Sequence, residues 1–122
     1  MQNQDGFTLV EIIAVLLILG ILVAVAVPRY IELEVNANQR AIDSGISDLN
    51  GRETLTWANQ KLSTTGYDND QNIVTAIDYN LGDGYTWIIA PSQTGGTLEF
   101  QGLSAPLTRT ESDISKPAVW SL

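Results

Sequence analysis

The chain of 122 residues has no cysteine and no histidine. Without cysteine it gains no disulfide staple and gives no clue to its redox compartment. Without histidine it lacks the commonest general base and transition-metal ligand. Serine and threonine are plentiful but have no evident activating partner, and no Gly-rich phosphate loop or Walker sequence is present. The chain therefore reads as a non-enzyme without a cofactor. Positive charge is also scarce: 6 Lys and Arg stand against 14 Asp and Glu, a net charge of -8. That balance argues against nonspecific affinity for nucleic acid or anionic headgroups, so no direct nucleic acid binding is expected. Asp68, Asn69, Asp70 and Asp83 are oxygen donors of the kind calcium prefers. No EF-hand spacing joins them, and turns use the same residue types for backbone hydrogen bonds, so no metal ligand is assigned.

What the chain does have is a long apolar run, Phe7 to Val27, whose only charge is Glu11. As an α-helix the run spans about 30 Å, the hydrocarbon thickness of a bilayer. An acidic residue inside such a span costs roughly 2.5 to 3.5 kcal/mol near the centre and less towards the interface. Glu11 lies near the N-terminal end, where one reading is an ordinary single-pass anchor whose acid reaches the headgroups. The sharper reading gives it a positive partner: cleavage after Gly6 creates an α-amino group at Phe7, close to the carboxylates of neighbouring copies.

The segment Gly6-Phe7-Thr8-Leu9-Val10-Glu11-Ile12-Ile13, followed by Gly20 and Pro28, resembles the prepilin signature of type IV pilins and type II secretion pseudopilins. The resemblance is specific over about the first 30 residues. It implies cleavage after Gly6 by a membrane peptidase, methylation of the Phe7 amine by the same enzyme, and an assembly role for Glu11 in recruiting and registering subunits of a helical fibre. It also implies that the helix between Gly20 and Pro28 is where subunits loosen on leaving the membrane. The partners would be the prepilin peptidase and methyltransferase, identical and related pilin subunits, an inner-membrane assembly platform with its ATPase, and the lipid bilayer before assembly. The chain would sit as a single-pass protein in the bacterial inner membrane, then in a periplasmic pseudopilus or an extracellular pilus. Many family members close a C-terminal loop with a disulfide, which this chain cannot do. The leader also departs from the pattern: Met1 to Gly6 carries Asp5 and no basic residue, so either the true start lies upstream or the helix is oriented by other means.

Other readings stay open beside this one. A secretory signal peptide would want a basic n-region and a shorter apolar core, although Ala24-Val25-Ala26 imitates its cleavage site. A membrane-tethered periplasmic binding module that never polymerises leaves Glu11 and the Gly6-Phe7 junction to chance. A minor or tip subunit would share the N-terminal half, and such subunits can lack the glutamate that this chain retains.

The expected organisation is a leader at 1–6, a membrane and polymerisation half of a long helix at 7–28, and an exposed globular domain at 29–122, with helix to 62 and loop and sheet at 63–122. Pro28 removes one helical hydrogen bond and crowds the Ala24 carbonyl, and glycine costs about 1 kcal/mol in a helix interior at Gly20, Gly45 and Gly51. From Arg29 to Leu62 there is no proline, and two apolar stripes form at helical spacing. One holds Ile31, Val35, Ile42, Ile46 and Leu49; the other holds Tyr30, Leu33, Ala37, Ala41, Leu55, Ala58 and Leu62. Two stripes predict packing on the chain's own domain on one side and on neighbouring subunits on the other; a helix mostly buried in its own domain is the alternative. A helix over 7–62 would be about 84 Å long.

Ser63-Thr64-Thr65-Gly66 reads as a helix terminator. Ile73, Ile77 and Leu81 predict a short helix capped by Asp70 and ending near Gly82. Strands are expected over Tyr85–Ala90 and Thr97–Leu103, with a third including Leu107–Thr110 after Pro106. The fold class is thus α+β, a long N-terminal helix whose second half packs on a small antiparallel sheet. Trp57, Trp87 and Trp120 are the expected large core pieces, with Trp120 docked near the chain end.

Overall fold

The computed structural model describes residues 8–122. Gly6 and Phe7, on which the cleavage and methylation expectations fall, lie outside the described residues. Helix α1 covers Leu9–Leu62 and is helical through Gly20 and Pro28. It is followed by α2 (Asp70–Ala76) and strands β1 (Tyr85–Ile89), β2 (Gly95–Phe100), β3 (Leu103–Thr110) and β4 (Val119–Ser121). The strands form one antiparallel sheet in the order β1-β2-β3-β4. The fold is α+β, as expected. The chain divides into two units, the first running to Ala37 and the second Asn38–Leu122.

The second unit owns the core. Ile42, Gly45, Leu49 and Glu53 form the buried stripe of α1, at spacings of three and four residues that keep them on one helical face. Leu98, Ala105, Leu107 and Trp120 of the sheet complete the buried cluster, with Ile46, Tyr85, Trp87 and Phe100 packed at its margin. Gly45 is more than a weak point in the helix. A β-carbon there would lie 3.1 Å from the Tyr85 ring, 3.3 Å from Leu98 and 3.4 Å from Leu81, so glycine lets the sheet approach the helix backbone. No such neighbour meets Gly51 within 4 Å.

Several boundaries differ from the sequence expectation. Asn69, not Asp70, caps α2: its Oδ1 accepts the Asn72 amide at 3.0 Å, which frees Asp70 for another role. The helix ends at Ala76 rather than near Gly82, because Asp78 and Asn80 take the Asn80 and Gly82 amides on their own side chains. Strand β2 stops at Phe100, and Gln101-Gly102 turns the hairpin with both residues at positive φ, so that Leu103 opens β3. Strand β3 runs through Pro106 instead of starting after it. β4 pairs only with Thr108–Thr110, so Pro106 sits where β3 has a strand on one side alone. β4 itself was not expected, although the docking of Trp120 was, and that residue is 1% exposed. Asn50 of α1 fixes it: Oδ1 accepts the Trp120 amide at 2.7 Å and Nδ2 donates to the Trp120 carbonyl at 3.1 Å.

Trp57 is not a core piece. It is half-buried, with Nε1 donating to the Asp113 carbonyl at 2.8 Å and the Lys61 ammonium 4.6 Å from its ring. Lys61 also donates to the Ile114 carbonyl, and Asp113 folds its own turn by accepting the Ser115 and Lys116 amides. The C-terminal loop is thereby held to α1 with no disulfide. Of the two stripes, Ile42, Ile46 and Leu49 enter the core, while Leu55 and Leu62 of the other remain exposed. Ile31, Val35, Tyr30 and Leu33 belong to the first unit and are exposed there.

Candidate functional site

In the first unit every large apolar side chain from Leu9 to Val27 is exposed, from Ile12 at 44% to Val10 at 74%. The helix is long and apolar enough to cross a membrane, and none of that apolar stretch is buried by the chain itself. Its one acid, Glu11, is exposed in the first turn. The carboxylate accepts the Thr8 amide at 3.3 Å, and the Glu11 amide donates to Thr8 Oγ1 at 3.1 Å. This is a capping box, in which two otherwise orphan donors of the helix start are satisfied reciprocally. A negative group also sits favourably at the positive end of the helix dipole. Sequence reasoning missed Thr8, although Thr8-Leu9-Val10-Glu11 has the S/T-x-x-E spacing before an apolar run. Ile12, Val15 and Leu16 line a shallow apolar groove together with Glu11.

A second polar centre, also missed, lies inside the other unit. Arg109 of β3 uses all five guanidinium donors. Nε and Nη2 bind Glu53 at 2.7 and 3.0 Å, Nη1 and Nη2 bind Asp70 at 2.6 and 3.0 Å, and Nη1 also donates to the Gln93 carbonyl at 3.1 Å. Glu53 further accepts Trp120 Nε1 at 2.8 Å; Asp70 accepts the Ser112 amide and hydroxyl and Gln93 Nε2. Glu53 is fully buried, Arg109 3% exposed and Asp70 6%. Burial pushes the Asp70 carboxyl up, but the hydrogen bonds from Arg109, Ser112 and Gln93 outweigh it and hold it well below the usual range. Burial likewise opposes the Arg109 charge, and its bonds to Glu53 and Asp70 overcome that and raise it. Tyr79, stacked edge-on against Trp87 and Trp120, is pushed up to about 12 by burial and by the Glu53 charge. The Tyr79 hydroxyl is buried without a hydrogen-bond partner, but Arg109 spends every donor on Glu53, Asp70 and Gln93, which suits these charges to joining α1, α2 and the sheet rather than to chemistry on a ligand.

The candidate calcium donors are dispersed among other tasks: Asp70 binds Arg109, Asn69 caps α2, and Asp68 accepts the side-chain amides of Asn69 and Asn72. Among the described residues no three acidic side chains come together in a metal-binding group.

The chain thus combines an α+β fold, a helix long and apolar enough to cross a membrane, and one carboxylate in that helix's first turn, and the known proteins give it a family. A family model described as the prokaryotic N-terminal methylation motif matches residues 1–27. Two fimbrial proteins of Pseudomonas aeruginosa are each 34% identical over 130 residues, covering 98% of this chain and 78% of theirs. The type IV narrow pilus major component PilA5 of Thermus thermophilus is 54% identical over 43 residues, covering 35% of this chain and 37% of that relative. No solved structure matches the chain. With a relative 34% identical along 98% of this chain and 78% of its own length, the chain belongs to the type IV pilin family, and these relatives are fimbrial and pilus proteins.

Proposed function

We propose that this chain is the structural subunit of a helical type IV pilus fibre, polymerised through its N-terminal helix. The observation that carries the reading is the first unit's exposed apolar surface: Leu9 to Val27 have no cover from the chain's own fold, in a protein of the pilin family. At about 25 cal/mol per Å² such a surface demands lipid or other subunits around it. On this reading the leader is 1–6, the membrane and polymerisation segment 7–28, and the exposed domain 29–122. A prepilin peptidase cuts after Gly6 and methylates Phe7, and the bilayer of the inner membrane holds the subunit until the assembly platform and its ATPase extract it. Glu11, freed from its Thr8 amide or shared with it, receives the Phe7 amine of a neighbouring copy. Gly20 and Pro28 bound the stretch where α1 loosens in the fibre. That the relatives are a pilus component and fimbrial proteins favours a pilus over a secretion pseudopilus.

The deciding measurement is the mature N-terminus. Intact-mass and peptide mass spectrometry of membrane-extracted protein is expected to find a chain starting at methylated Phe7. Retention of Met1 to Gly6 in that membrane-extracted protein would end this reading in favour of a simple anchored module.

A further inference from the structure

Between α2 and β1 the chain runs as a short strap, Asp78–Leu81, fastened almost entirely by side chains. Among the described residues no backbone-to-backbone hydrogen bond ties these residues to a helix or a strand. The amide of Asn80, and that of Gly82 just beyond, are taken by the side chains of Asp78 and Asn80, which fold the strap on itself. Three successive carbonyls are held from other elements. Arg52 of α1 donates through Nη1 to the Asp78 carbonyl at 2.6 Å and to the Asn80 carbonyl at 3.0 Å, and Trp87 Nε1 of β1 donates to the Tyr79 carbonyl at 2.9 Å. Arg52 is itself steadied by Asp48, one turn back on α1, whose carboxylate accepts Nε at 3.2 Å and Nη2 at 3.1 Å. Both members of this ion pair are partly exposed, where such a pair contributes little.

The strap also carries its own source of instability. The Tyr79 ring packs edge-on against Trp87 and Trp120, with centroids 6.1 and 6.0 Å away, and its hydroxyl is buried with no hydrogen-bond partner among the described residues. A hydroxyl kept from water without a partner disfavours the closed form and regains its hydrogen bonds when the segment lifts. Tyr79 and Leu81 are only partly buried, at the margin of the core, so little apolar area opposes that movement. Gly82, at φ 106° with open space around it, supplies a pivot before β1. None of the bonds that join Glu53, Arg109, Asp70 and Trp120 involves the strap, so they persist when it opens.

We propose that Asp78–Leu81 is a latched strap that opens and closes while the rest of the second unit stays folded, with Arg52 as the latch and the Tyr79 hydroxyl favouring the open form. Opening frees Trp87 Nε1 and bares the part of the Trp87 ring that Tyr79 packs against. The device lies wholly in the second unit and stands independently of how the first unit polymerises.

The test uses the full chain in detergent micelles and follows hydrogen exchange at the indole Nε1–H groups by NMR, with the signals assigned by Trp57→Phe and Trp87→Phe. Trp87, bonded to the strap, is compared with Trp120, whose Nε1–H is bonded to the buried Glu53. Trp87 is expected to exchange about 10-fold faster than Trp120 or more, and its rate should stay flat in low urea while that of Trp120 climbs, which separates local from global opening. Arg52→Gln should speed Trp87 exchange about 10-fold. Tyr79→Phe should slow it about 5-fold, the reverse of what the loss of a hydroxyl does where that group holds a fold together. Equal exchange at the two indoles with the same urea dependence, Trp87 rates unmoved by Arg52→Gln, or a Tyr79→Phe protein that exchanges at Trp87 as fast as its parent or faster overturns the proposal.

Discussion

Helix α1 carries a glutamate on the working face of each unit, and the two carboxylates are satisfied in opposite ways. Glu53 is fully buried and meets Arg109 from a distant strand, Trp120 from the chain end and, through Arg109, Asp70 from α2. Glu11 is exposed and, among the described residues, is bonded to Thr8, three residues away. The apolar surfaces follow the same division: Ile42 and Leu49 are fully covered by the sheet, whereas Leu9 to Val27 are bare. A region that contains its own partners is complete as a monomer. One whose described hydrogen bonds are local and whose apolar side chains are exposed leaves that surface for other molecules to cover.

The strongest way to break the comparison is Glu11→Ala. Processing at Gly6-Phe7 should continue and the second unit should unfold at the same urea concentration, while fibres recovered by shearing fall to background. Normal fibre yield would show that the carboxylate is not an assembly contact.

Next in size is Arg109→Met, which strands two buried carboxylates and is expected to cost about 3–5 kcal/mol. Urea unfolding followed by tryptophan fluorescence would measure it. Adding Glu53→Gln and Asp70→Asn to that variant should recover much of the loss, since the cost lies in unpaired charge rather than in missing volume. An Arg109→Met protein as stable as its parent would remove the cluster from any structural role.

Acid offers a gentler probe of the same contrast. Because the folded-state pKa of Asp70 is depressed, its contribution is present above the unfolded value of about 3.9 and is lost as pH falls below it towards the folded one. The urea midpoint should drop between about pH 5 and pH 2, and Asp70→Asn should flatten that slope. The smallest effect expected is that of Asn69→Ala, which removes the α2 cap and costs about 1 kcal/mol; a midpoint shift near zero would mean that packing alone sets the start of α2.

Much of this could be read from the chain. The extent of α1, the terminator at Gly66, the β1 segment and the docking of Trp120 follow from periodicity, glycine placement and aromatic content. The buried cluster left fainter traces. Glu53 continues the stripe Ile42, Ile46, Leu49 at a spacing of four, and Arg109 continues the inward alternation Ala105, Leu107 of β3. An acid on one buried face and a base on another are legible as a pair only when the two faces are known to meet. Asp70 was mistaken for a cap because Asn69 beside it serves as well, and only the position of Arg109 tells them apart.

Local residue order was enough for the membrane-length helix, its first-turn carboxylate with Thr8 nearby, the α+β composition and the lack of cysteine and histidine. These depend on residues within a few positions of one another, where helical and strand periods decide the outcome. The meeting of Glu53 and Arg109, fifty-six positions apart, in one buried site comes instead from long-range packing. The same packing decided that Gly45 is a point of close approach and that β4 closes the sheet. Each of these rests on the register in which helix and strands meet, and a one-residue slip would turn the same side chains to water.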